Sequence, residues 1–258
     1  MSVDLQHQRD YVASLDVTGL PRPTVSMGAA TEAGEVFDKA KEQAQVVGSG
    51  VFSFAKGVDE EVRTAISDSA LLAQLVANKR ANSDSDPLGW FKIYSDVLQN
   101  IGWTLQDKTW DDYTSLGNSA DVHEKIIEVM TAALGPSPAT LLILAATVRA
   151  LKSLDPNSSW LRIFSRESQK ARIARFQVGL VETAEDGDVF VSLLACLVQA
   201  DQTITQVLFF KYREAHATFK ARANKVSINR RSLTDLHAGI VEKIRSYQNA
   251  FISSIQDL

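Results

Sequence analysis

The sequence predicts an α+β protein, with an N-terminal helical layer packed on a C-terminal antiparallel β-meander that a last helix closes. Three observations carry that reading. Apolar residues recur at three- and four-residue spacing through most of the first 155 positions, which is the helical period. From about residue 156 the period shortens to two, with an Asp-Gly turn signal inside the alternating stretch. From 231 onward the helical period returns. Strands grouped in one part of the chain and helices in another mean α+β. The 258 residues read as a single domain, 1–258: an extended leader over 1–30, a helical part over 31–155, an antiparallel sheet over 156–230 and a terminal helix over 231–258.

The leader contains Gly19, Pro21, Pro23 and Gly28 and little periodicity, so it is expected to wrap the surface. Val36, Phe37, Ala40 and Ala44 then start a helix that Gly48, Ser49 and Gly50 loosen before VFSFA. Asp59 is the expected cap of a helix through SALLAQLVANKR, whose Leu71, Leu72, Leu75 and Val76 form an apolar stripe. NSDSDPLG is a loop, and Trp90, Phe91, Tyr94, Val97, Leu98 and Ile101 mark the next helix, ending at Gly102. Val122, Ile126, Val129 and Met130 mark a fourth, and GPSP separates it from a buried helix over 138–154. WLRIF at 160–164 and Phe176, Val178 and Leu180 alternate as strands do. Residues 188–200 (DVFVSLLACLVQA) are apolar on both alternating sets, as in a central strand covered on both faces. TQVLFFKY at 205–212 is the next expected strand, and AHATFKA and KVSIN supply one or two more nearer an edge. Leu233, Leu236, Ile240, Ile244, Tyr247 and Phe251 stripe the closing helix, with Ser232 as its expected cap.

A composition of 45% hydrophobic and 22% charged residues is that of a globular chain and excludes intrinsic disorder. A net charge of -4 argues against a nucleic-acid partner, which would require a basic surface. The first residues, MSVDLQHQRD, do not read as a signal peptide, and no run of 18 apolar residues encodes a transmembrane helix. The expectation is synthesis in the cytoplasm, followed by release or membrane association. A single cysteine excludes an internal disulfide framework and a cysteine-based zinc cluster.

No catalytic signature is assembled, so no enzyme is expected. His7, His123, His216 and His237 show no i, i+4 pairing, and His123-Glu124 lacks the second histidine of a zinc helix. No metal and no required cofactor are expected. There is no G-x-S-x-G, no P-loop and no dinucleotide fingerprint. Asp111 and Asp112 beside Trp110 read as a solvated turn. Lys211, Arg213, Lys220, Arg222, Lys225, Arg230 and Arg231 make the strand-rich part locally basic, which suits either an anionic membrane surface or a charge-protected sheet edge. Cys196 lies in the two-sided apolar strand, where burial makes a thiol a small hydrophobe and a poor nucleophile.

The segments VVGSGVFSFAKGV, SALLAQLVANK and WFKIYSDVLQNIGW, with the meander DVFVSLLACLVQADQTITQVLFFKYREAHATFKA and its closing helix, resemble the Erwinia virulence factor-like family of bacterial and fungal proteins. The resemblance runs from about residue 45 onward through diffuse apolar patterns. It implies a single domain without known enzyme activity and a virulence role at host membranes or in persistence in a host gut. It also implies a fatty acid, palmitate, thioester-linked to Cys196 as the lipid-attachment residue. Phe190, Leu194 and Val198 share the face of Cys196, and Leu141 and Leu144 from the buried helix would complete the lipid-pocket lining. Each buried methylene of such a chain contributes about 0.8 kcal/mol. Three readings stand: a lipid-modified, toxin-like effector acting on lipid or host membrane; a non-acylated, helix-rich pore-former inserting through VVGSGVFSFA; and a protein binding lipid, small molecules or another protein.

Overall fold

A computed structural model describes residues 2–21, 43–81, 85–106, 109–115, 121–134, 159–207 and 216–255. Helix α1 (Ser2–Ser14) occupies the stretch expected to be an extended leader. Its apolar positions are few, and the structure supplies what the periodicity lacked. Val12 and Leu15 are buried, and the carbonyls of Ala13 and Leu15 accept hydrogen bonds from Lys243 Nζ at 2.6 and 2.9 Å. Tyr247 Oη donates to Val17 O at 2.8 Å. These contacts come from more than 200 residues away in sequence.

Strands β1 (Gln43–Val47) and β2 (Gly50–Phe54) form a buried hairpin where a helix and an inserting segment were expected. Gly48 and Ser49 are its two turn residues, and Gly48 has φ 53°, the left-handed conformation that short hairpin turns require at the first position. G-S-G is thus a turn, and the flanking Val and Phe residues pack well on a pleated surface. Most of the helix expected from Thr31, including Val36, Phe37 and Ala40, lies outside the described residues.

Helix α2 (Glu60–Arg80) follows Asp59, and its stretch from Val62 to Ala77 is buried except for Thr64, polar residues included. Helix α3 (Pro87–Asn100) begins inside the stretch expected to be a loop: Asp86 accepts from Gly89 N at 2.9 Å, and Pro87 stands in the first turn, where it lacks only a donor without a helical partner. Two-residue strands β3 (Trp103–Thr104) and β4 (Asp111–Asp112) come next, so Asp111 and Asp112 are exposed as expected but paired. Helix α4 (Val122–Leu134) buries Val122, Ile126, Val129 and Met130. The expected helix over 138–154 lies outside the described residues.

WLRIF is not a strand. It belongs to helix α5 (Ser159–Ser168), in which Trp160, Leu161 and Phe164 are buried at i, i+1 and i+4, one helical face. Strands β5 (Gln169–Lys170), β6 (Ile173–Thr183), β7 (Val189–Gln199) and β8 (Thr218–Ile228) follow. The last three form the antiparallel meander that the alternation predicts. Gly187, φ 88°, turns the chain between β6 and β7. Of the strand expected at 205–212, Thr205, Gln206 and Val207 are not in a strand, and the rest lies outside the described residues.

The expected closing helix divides. Helix α6 (Arg230–Ile244) is capped by Asn229, whose side chain accepts from Ser232 N at 3.1 Å, so Ser232 is not the cap. After a turn come helix α7 (Gln248–Phe251) and strand β9 (Ile252–Ile255), which pairs with β1. The free edge of β1 draws these residues into the sheet, where their backbone hydrogen bonds outweigh the last helical turn.

The strand order is β3-β8-β7-β6-β2-β1-β9, with β4 on β8 and β5 on β6. Among the described strands only β2 and β6 pair in parallel. One face is covered by α1, α2, α3, α6 and α7, the other by α4 and α5. The α+β class is the one the sequence predicts, arranged as a sheet between two helical layers. Ile240 on α6 is buried in the first layer. Ile240→Ala is expected to cost about 2–5 kcal/mol of stability by chemical denaturation. A loss below about 0.5 kcal/mol, the scale of surface changes, would put the stripe in solvent.

Candidate functional site

Each strand of the meander is eleven residues long, and the period of two gives the three-stranded unit two unlike faces. On the face toward α4 and α5, Ala174, Phe176 and Val178 of β6 stand opposite Val198, Cys196 and Leu194 of β7. Those in turn stand opposite Phe219, Ala221 and Ala223 of β8. All nine are buried in one apolar cluster with Ile126, Met130, Trp160 and Phe164. Phe164 meets Phe176 edge-on at 6.0 Å between centroids.

The opposite face, toward α2 and α3, carries polar groups at the same ranks. Arg175, Leu197 and Lys220 form one rank; Gln177, Ala195 and Arg222 the next; Gly179, Leu193 and Asn224 a third. Apolar β7 is thus flanked by polar side chains from both neighbours. Arg175 and Gln177 are buried, and residues of α2, α3 and the β1–β2 turn hold them. Arg175 donates to Asn78 Oδ1 at 3.1 Å, and its guanidinium lies 3.8 Å from the Trp90 ring centroid. A desolvated cation–π contact of this kind is worth about 2 kcal/mol. Gln177 Oε1 accepts from Ser49 Oγ and Gln74 Nε2, both at 3.3 Å. Arg222 donates to Ser95 Oγ at 2.6 Å and lies 5.6 Å from the Trp110 centroid. Gln177 Nε2 and Asn224 Oδ1 are buried without a protein hydrogen-bond partner. Groups in that condition cost about 1–3 kcal/mol each.

The residues singled out as a lipid site separate under this geometry. Cys196 is fully buried, between Leu194 and Val198 on the same face. Burial pushes its thiol well up from the usual range, so it stays protonated. Phe190 shares the alternation but sits at the far end of β7, half-buried, with Lys225 Nζ 5.6 Å from its ring centroid. Six residues of strand put about 20 Å between Phe190 and Cys196. Leu141 and Leu144 lie outside the described residues.

Of the other clusters, Asp121, His123 and Glu124 bring three ligand atoms within 4.8 Å of one another, but Glu124 is exposed and Asp121 half-buried. Exposed carboxylates gather this way without an ion. His237 Nε2 and Asp68 Oδ2 lie 2.8 Å apart, and Gln248 donates to the other Asp68 oxygen at 2.9 Å, tying α2 to α6 and α7. Sequence reasoning missed the Arg175–Trp90–Asn78 and Gln177–Gln74–Ser49 groups. Their signal was present: Arg175 and Gln177, like Lys220, Arg222 and Asn224, recur at period two beside an apolar strand.

Fold and site define a class: a mixed, mostly antiparallel sheet between two helical layers, whose long meander is apolar around Cys196 on one face and mixes apolar with polar side chains on the other. No protein-family model matches the sequence, and no curated protein matches it. Among solved structures, a delta-endotoxin is similar with TM-score 0.41 at 14% identity, over 69% of this chain and 79% of its own. The Evf virulence factor is similar with TM-score 0.33 at 10% identity, over 86% of this chain and 87% of its own. The likeness to the Erwinia virulence factor is therefore a diffuse structural one. No helix among the described residues is long and apolar enough to cross a membrane.

Proposed function

We propose that this protein is a toxin-like effector that permeabilises membranes through its long-stranded meander. The observation that carries the reading is the two-faced pattern of the ranks from Ala174 to Gly179 of β6 with their partners in β7 and β8; beyond them Ser192, Lys225 and Glu182 fall on the Cys196 side. A membrane-spanning β-strand needs about 9–11 residues, tilted about 45°, and these strands have eleven each. It must present apolar side chains to lipid and can present polar ones to water inside a barrel. The ranks Ala174–Val198–Phe219, Phe176–Cys196–Ala221 and Val178–Leu194–Ala223 suit lipid; Arg175, Gln177, Lys220, Arg222 and Asn224 suit a wet lumen. Separation of α4 and α5 would uncover the first set, and separation of α2 and α3 the second. The groups without a protein partner, Gln177 Nε2 and Asn224 Oδ1, would then gain water, which favours the open form.

The element differs from the one expected for a pore-former, since VVGSGVFSFA is a buried hairpin of the sheet. Vesicles of phosphatidylcholine, phosphatidylethanolamine and phosphatidylserine loaded with a self-quenching dye test the reading. Added protein should release the dye, and the meander should become protected from protease in the membrane-bound state. Intact vesicles at every protein concentration would overturn it.

The palmitoyl thioester on Cys196 remains a second proposal, favoured by the position of Cys196 in the middle of the face assigned to lipid. An acyl group would pass from an activated thioester donor to the sulfur, the thiol proton going to the departing carrier. Because that thiol is buried and protonated, the transfer would require the open form. Protein from its native producer should then carry an added acyl mass that hydroxylamine removes and that Cys196→Ser abolishes. Unmodified mass in the native product would leave Cys196 as packing.

A further inference from the structure

We infer that the conduit formed by the meander selects anions over cations; this rests on the insertion reading above and adds its selectivity. The face assigned to the lumen carries three cations per chain, Arg175, Lys220 and Arg222. Arg175 and Lys220 lie on one rank and Arg222 on the next, so successive chains around a barrel would stack their charges into two adjacent positive rings. The lumen-side positions of the three strands contain no Asp or Glu: they are Ile173, Arg175, Gln177, Gly179, Val181 and Thr183 of β6, the odd-numbered residues of β7, and the even-numbered residues of β8. Glu182, the one carboxylate in these strands, falls on the lipid-side set at the end of β6, at the rank of Phe190 and Ser227.

The guanidiniums stay charged throughout the physiological range, so the rings persist whatever the local pH. Rings of fixed charge in a pore of low dielectric set ion selectivity, and Arg or Lys rings favour anions. In the closed form the same charges are sheltered: Arg175 by Trp90 and Asn78, Arg222 by Trp110 and Ser95. The acidic residues beside them, Asp111 and Asp112, pair with Ala221 and Lys220 from the two-residue strand β4, outside the meander. Its ladder with β8 is two residues long, against eleven for β7 with β8.

Planar bilayers of the same three phospholipids, with unequal KCl on the two sides, test the inference on the wild-type protein. The reversal potential is expected to take the sign set by chloride, with chloride several-fold more permeant than potassium. Lys220→Gln with Arg222→Gln should reduce that ratio toward one, and Lys220→Glu with Arg222→Glu should invert it. Should a double variant fail to fold, the wild-type sign still decides. Conductance selective for potassium would overturn the inference and leave insertion standing. Conductance that stays chloride-selective in folded double variants would move the selectivity away from these residues and overturn it as well. Absence of any conductance, together with intact vesicles, would overturn insertion itself.

Discussion

A disulfide between positions 51 and 178 is expected to abolish dye release from vesicles, and reduction is expected to restore it. Val51 of β2 and Val178 of β6 are in-register partners across the parallel pair, and both side chains face the α4–α5 layer. Neighbouring strands lie about 4.8 Å apart, inside the separation of about 4.4–6.8 Å that a disulfide spans. This boundary is where the meander would have to part from the rest of the sheet. On its other side, among the described residues, β8 pairs with the two-residue strands β3 and β4. The β2–β6 ladder runs from Gly50–Gln177 to Phe54–Val181 and is the long attachment. Val51→Cys with Val178→Cys should be made in a Cys196→Ala background so that the new pair has no competing thiol. The oxidised protein should keep its far-ultraviolet circular dichroism and unfold at no lower temperature, yet leave vesicles intact. Undiminished release from fully oxidised protein would mean that the meander does not leave the sheet.

The second large effect is expected at Phe176. Its ring is fully buried, meets Phe164 of α5 edge-on, and stands opposite Cys196 in register. Phe176→Ala should lower the stability of the closed form by about 3–5 kcal/mol in chemical denaturation, through lost transfer energy and the cavity left behind. The same change removes the aromatic contact that holds α5 on the sheet. Dye release should therefore begin sooner after mixing than for the wild type, provided the variant is assayed where it remains folded. A loss under about 0.5 kcal/mol, the range of surface substitutions, would mean that the α5 layer is not anchored at this ring.

How far the sequence could be read follows from how local each signal was. β7 was legible because Val189, Val191, Leu193 and Leu197 alternate with Phe190, Leu194, Cys196 and Val198, a pattern only a strand covered on both faces explains. Helix α3 was legible from its stripe from Trp90 to Leu98, though its Asp86-Pro87 start was read as loop. WLRIF misled because five residues with three large apolar side chains satisfy both periods. Ala44 misled as the last residue of a three- and four-residue spacing, and its pairing with Ser53 decided it. The apolar half of the candidate site was visible around Cys196. The polar half was not, because Lys220 and Arg222 read equally well as a solvated edge until Trp110 and Ser95 are seen above Arg222.

What the sequence determined by itself is a set of faces: the alternation of Phe176, Val178 and Leu180 in β6, the two-sided apolar character of β7, the apolar stripes of α2, α3 and α6, and where the Asp-Gly turn reverses the chain. Periodicity is a property of neighbours along the chain, and side-chain direction follows from it directly. The tertiary structure alone decided what lies against those faces. It placed α4 and α5 over the Cys196 side, α2 and α3 over Arg175 and Gln177, α1 under Lys243 and Tyr247, and the last four strand residues beside β1. Apart from the packing of α4 and α5, those choices depend on hydrogen bonds and packing between segments about 100 to 230 residues apart. Their free energy exists only once the chain has closed, so no local pattern announces them.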